Sequence, residues 1–228
     1  MNAKSFLSAT ILAVASLVGS AAAARPPAWP DTPLARLQAF AAIQSLNADL
    51  LSHDSATLVL EAWCSSHRLA AQGHVIAERK RDVTKPATSE IRRELGADDA
   101  ETIAYRRVRL RCGDEVLSEA DNWYVPSRLT PEMNRTLENT DVSFGRVVQP
   151  LHFVRRTVSA ETPWEVLPPD WAVTDAPPKA SGSMLIPPDV VLRHKAILTL
   201  PGGAPFSLVV ESYTAAVIAF PQPRLGSE

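Results

Sequence analysis

The chain has 228 residues, with 23 Lys and Arg against 25 Asp and Glu, five His and two Cys, for a net charge of −2. That length fits one domain with a sizeable core, and 46% hydrophobic against 21% charged residues excludes global disorder. The near-neutral balance gives no electrostatic case for nucleic acid or an anionic membrane, and two Cys cannot build a disulfide scaffold or a Cys-rich metal site.

Residues 1–24 read as an export signal. Lys4 supplies the positive start, Phe6 to Leu17 an apolar stretch too short to span a bilayer, and Gly19 to Ala24 the small residues for cleavage before Arg25. The mature chain is therefore expected to be periplasmic or secreted, with no stable membrane span after cleavage. Export makes a Cys64–Cys112 disulfide permissible; an inert buried thiol is the other reading of each Cys.

Residues 25–228 are expected to form a single domain. Thr32-Pro33 is a cap followed by a first-turn proline, and Leu34, Leu37, Phe40, Ala41, Ile43, Ala48 and Leu51 recur at helical steps. Ser52 to Ser55 breaks this helix, and Asp54 or Ser55 caps a second one to about Arg68. His74 to Val83 reads as a strand and Pro86 to Glu94 as a short helix stopped by Gly96. Tyr105 to Cys112 and Glu115 to Val125 read as a hairpin through Gly113-Asp114. Thr130 caps a helix to about Asn139, and His152 to Ala160 is a further strand. Trp164 to Pro188, with six prolines, reads as a surface loop, part of an insertion at about 163–188. Val190 to Leu200 and Phe206 to Phe220 are two apolar strands around Pro201 to Ala204. Helices followed by antiparallel strands predict an α+β fold.

Familiar sites are absent from the sequence: there is no Gly-rich phosphate loop, no His-Glu-x-x-His and no Gly-x-Ser-x-Gly. Two features stand out. Glu211 is the only charged residue between Lys195 and Arg224, so it is either solvent-facing on a one-sided sheet or turned into a pocket with a partner. In Tyr105 to Cys112, period two puts Val108, Leu110 and Cys112 on one face and Arg107, Arg109 and Arg111 on the other. The arginine row is either a charged outer face or presents a guanidinium to a carboxylate ligand.

Four stretches together resemble the chorismate pyruvate-lyase family, which makes 4-hydroxybenzoate and pyruvate from chorismate. They are Leu50 to Thr57, with His53-Asp54-Ser55-Ala56-Thr57; Arg107 to Pro126, with an Arg five residues before Cys112 and a Gly-Asp-Glu turn; Phe144-Gly145-Arg146; and Leu198 to Tyr213. The resemblance implies an antiparallel sheet with helices packed on one side around a pocket for a small aromatic carboxylate, chorismate or 4-hydroxybenzoate-like, in a monomer needing no cofactor or metal. It places the family's ligand-contacting Arg on Arg107 and its Glu on Glu211, both as catalytic and substrate-binding residues, and two pocket-wall positions on Phe144 and Ala56. The family's enzymes act in the cytoplasm, where chorismate is made. An exported chain of this kind is therefore a lyase acting on chorismate or a close relative, a non-catalytic binder of a small aromatic carboxylate, or a structural envelope protein whose pocket is lost.

Overall fold

The computed structural model describes residues 29–173 and 181–224, so the export signal over 1–24 lies outside the described residues. In chain order the elements are α1 (Pro33–Ser52), α2 (Ala56–Ser66), β1 (Val75–Lys80), α3 (Ser89–Leu95), β2 (Ala104–Cys112), β3 (Glu115–Tyr124), α4 (Pro131–Asn139), α5 (Phe144–Val148), β4 (Val154–Glu161), β5 (Val190–Thr199) and β6 (Pro205–Thr214). The strands form one antiparallel sheet in the order β1-β2-β3-β6-β5-β4. This is the expected α+β class.

The helix starts follow local chemistry. Thr32, Ser55, Thr88 and Thr130 each accept a backbone N–H of the helix they precede, and prolines occupy the first turns of α1 and α4. Gly113 turns β2 into β3 with φ +57°, where an added Cβ would meet that of Ala70 at 2.8 Å.

The buried stripe of α1 is Ala35, Ala39, Ile43, Leu46 and Leu50, while Leu34, Leu37 and Leu51 are exposed. The stripe expected from the sequence shares only Ile43 with it. Apolar residues lie nearly all round this helix, so its partners choose the face, and the alanine side allows the closer approach. α1 and α2 bury Val108, Leu110, Cys112, Val191, Leu192 and Tyr213 of the sheet, while α4 and α5 pack with Tyr124, Leu198 and Phe206. The short α3 is set on the opposite face, where Leu95 meets Trp123, Ile197 and Leu208. The last strand ends at Thr214 rather than Phe220, because Thr214 caps a short 3-10 turn over Ala215–Ile218.

Cys64 of α2 and Cys112 of β2 are joined in a disulfide. The described parts of the Pro-rich segment, 164–173 and 181–188, hold no helix or strand, but they reach the core: Val166 and Leu167 are buried in the α1–α2 cluster, and Met184 bridges to Pro30. Asp31 holds this arrangement in place. Its carboxylate takes both Arg36 Nε (2.5 Å) and Nη2 (2.9 Å), and Ser181 donates to it from its backbone N–H and its hydroxyl. The Arg36 and Ser181 bonds hold the Asp31 carboxyl well below the usual carboxylate range. A depressed carboxylate stabilises the fold fully above its unfolded value and loses that contribution as pH falls toward its folded value. Asp31→Asn should therefore melt below the wild type at neutral pH, and the two melting temperatures should converge in strong acid. A gap independent of pH would refute the role given to the charge.

Candidate functional site

A cavity lies on the helix-covered face, between the α1–α2 and α4–α5 clusters, with an empty volume of about 630 Å³, part of it open to solvent. Strand alternation fixes its floor. Residues of one parity face the helices: Arg106, Val108 and Leu110 of β2, Ala120 and Asn122 of β3, and Val209 and Glu211 of β6. Leu198 of β5 and Arg155 of β4 complete the floor. The cover comes from Asp54 to Thr57 at the start of α2 and Ser143 to Gly145 at the start of α5.

Arg106 is 1% exposed. Its Nη2 donates to the Thr140 carbonyl at 3.2 Å, while Nε and Nη1 are buried with no partner among the described residues. Burial first, then the nearby Arg79 charge, pulls its pKa down to about 10, which leaves it cationic at neutral pH. Buried guanidinium donors are normally paired, so this group keeps unused hydrogen-bonding capacity beside the cavity.

Glu211 is differently placed. Arg155 Nη2 meets its Oε2 at 2.6 Å, and the Tyr213 hydroxyl donates to the same oxygen at 3.1 Å. Burial works against the Arg155 charge, but the Glu211 carboxylate outweighs it and the Arg155 pKa stands above its ordinary value. Burial, then the Glu211 charge, raises the Tyr213 pKa, so this phenol remains a donor. His194, directly across from Glu211 on β5, is fully buried; its Nε2 bonds Asn47 Oδ1 at 2.8 Å, and burial lowers its pKa.

Of the four residues expected at the site, Glu211, Ala56 and Phe144 line the cavity together. Arg107 does not. It points to the opposite face, where it pairs with Glu119 and with Asp121 at 3.3 Å, beside Arg109 on Glu119 at 2.6 Å. The reason is parity: Arg107 stands five residues from Cys112, an odd offset, and Cys112 faces α2. Arg106, six residues away, shares the face of Cys112, so the same alternation that sorted the arginine row also identifies the inward arginine. Arg155 carried no comparable signal, because its place depends on the β4–β5 register.

The fold and its cavity define a pocket-bearing α+β domain with a buried guanidinium that has no ion pair among the described residues. Over 198 residues the chain is 52% identical to the uncharacterized protein y4mC of Sinorhizobium fredii (strain NBRC 101917 / NGR234), covering 86% of this chain and 84% of that protein; it belongs to the same family. No family model matches. Among solved structures, PhnF from Mycobacterium smegmatis overlaps with a TM-score of 0.46 at 12% identity, over 78% of this chain and 71% of that one. A GntR-family transcriptional regulator from Bacillus cereus overlaps with a TM-score of 0.40 at 12% identity, over 67% and 99%. At these scores neither overlap bears on the cavity.

Proposed function

We propose that the protein binds a small aromatic carboxylate without turning it over. The observation that carries this reading is Arg106, which lines the cavity and whose Nε and Nη1 lie buried with no partner among the described residues. A carboxylate would complete it by charge-assisted hydrogen bonds, and Val108, Val209, Leu198 and Phe144 would enclose a flat ring. Arg106 and Glu211 stand on strands two apart, ~9.6 Å at ordinary strand spacing, and two residues out of step. Long side chains converging from such positions suit a ring with an anion at one end and a hydrogen-bonding group at the other.

Binding is favoured over the lyase reading because the Glu211 carboxylate is fixed in place by Arg155 and Tyr213, both bonded to Oε2. The export signal read from the sequence would carry the chain away from the compartment that makes chorismate, and the Cys64–Cys112 bridge accords with an oxidising one.

Calorimetry of the purified protein with 4-hydroxybenzoate should show saturable binding. Arg106→Ala should weaken it roughly 10- to 100-fold, as expected for losing hydrogen bonds to a charged group. Arg107→Ala should leave affinity unchanged, since that side chain serves the other face. Unaltered affinity in Arg106→Ala would overturn the assignment. Stoichiometric pyruvate and 4-hydroxybenzoate from chorismate would replace the binder with a lyase.

A further inference from the structure

A second polar group in the cavity has no partner among the described residues. Ser143 is 6% exposed, lines the cavity, and its hydroxyl is buried without a hydrogen bond to any described residue. It stands immediately before α5, a position where serine ordinarily accepts a backbone N–H of the first turn. Thr32, Ser55, Thr88 and Thr130 do so at their own helices, whereas Ser143 makes no such bond. The floor below adds Asn122, whose Oδ1 accepts from Ser207 at 2.7 Å and whose amide nitrogen has no protein partner among the described residues.

Position decides what these groups would meet. Arg106 is tied to the carbonyl of Thr140, three residues before Ser143, and Asn122 is its direct neighbour on β3. Ser143 and Asn122 therefore belong to the Arg106 end of the cavity, above and below a ring whose carboxylate engages that guanidinium. A ring carrying only a para substituent leaves the Ser143 hydroxyl buried and unsatisfied, which disfavours the complex.

We propose that Ser143 is a specificity-determining residue that selects an aromatic carboxylate bearing a further ring hydroxyl on the carboxylate side of the para position. This inference rests on the carboxylate-binding reading above and names the ligand class within it. The hydroxyl of Ser143 exchanges a hydrogen bond with that substituent, with Asn122 as the opposing donor from the floor.

The test is a calorimetric comparison of 4-hydroxybenzoate, 2,4-dihydroxybenzoate and 3,4-dihydroxybenzoate on the wild type and on Ser143→Ala. At least one dihydroxy ligand should bind roughly three- to tenfold tighter than 4-hydroxybenzoate, the effect of one neutral hydrogen bond, and Ser143→Ala should erase the difference. The melting temperature of Ser143→Ala should equal or exceed that of the wild type, because an unpaired buried hydroxyl is lost; a helix-capping role would lower it. Equal affinities across the three ligands, or a preference that survives in Ser143→Ala, would overturn this inference while leaving the binding reading intact. Failure of all three ligands to bind would overturn both.

Discussion

Replacing Cys64 and Cys112 together by alanine should lower the unfolding free energy by about 4 kcal/mol, the loop-entropy value for a bridge between residues 48 apart. Both cysteines are fully buried, and the loop they close contains β1, α3 and nearly all of β2. The bridge fastens α2 to the end of β2 nearest the turn, and the other end of α2 carries Ser55, Ala56 and Thr57 of the cavity cover. Stability and ligand affinity should therefore fall together. Urea unfolding of the wild type with and without reductant, beside the double variant, provides the measurement. Because the sulfurs are enclosed, reductant should act on the native protein slowly and on the unfolded chain at once. A loss under 1 kcal/mol would show that packing of Trp63 and Leu60 alone holds α2 in place.

Much of this architecture is legible in the sequence because it is local. Thr32-Pro33, Ser55, Thr130-Pro131 and Gly113-Asp114 each specify a helix start or a turn within a few residues, and the structure has them there. What depends on distant partners is not legible. α5 is five residues long with Gly145 inside it, too short for a periodic signal. The apolar spacing of α1 points to the wrong face because its large leucines turn outward and its alanines inward. The Pro-rich segment gives no period by which Val166 and Leu167 could be assigned to a core that also receives Trp29 from the far end of the domain.

The site divides along the same line. Glu211 was visible because a lone carboxylate in an apolar strand demands a partner; the partner was not, since Arg155 reaches it across β5 from the edge strand. On β2 the arginine that faces the cavity is Arg106 and not Arg107, one residue away, which on a strand is the whole thickness of the sheet. Alternation counted from Cys112 would have given Arg106. The even offset needs no structure, only the premise that the cysteine is buried.

Glu211→Ala should be the most damaging single change in the cavity, at about 3–5 kcal/mol of stability, because it leaves the Arg155 guanidinium buried without its counter-ion. The Arg155 side chain is 6% exposed and its Nε has no partner among the described residues, so it has little solvent to fall back on. Tyr213, fully buried, would lose its acceptor in the same step. Removing both charges with apolar replacements of similar length, Glu211→Leu with Arg155→Met, should recover most of the loss, since a buried ion pair gives little net stability over a packed apolar pair. The double variant separates the two roles of the pair. If it serves the ligand rather than the fold, the double variant should unfold in urea near the wild-type midpoint yet bind 4-hydroxybenzoate weakly, with Arg106 intact and the para hydroxyl unmatched. A double variant as unstable as Glu211→Ala would instead assign the pair to the fold. The buried cation of Arg106 and the anchored anion of Glu211 are both poorly justified by stability alone, and that mismatch is the physical ground for placing a ligand between them.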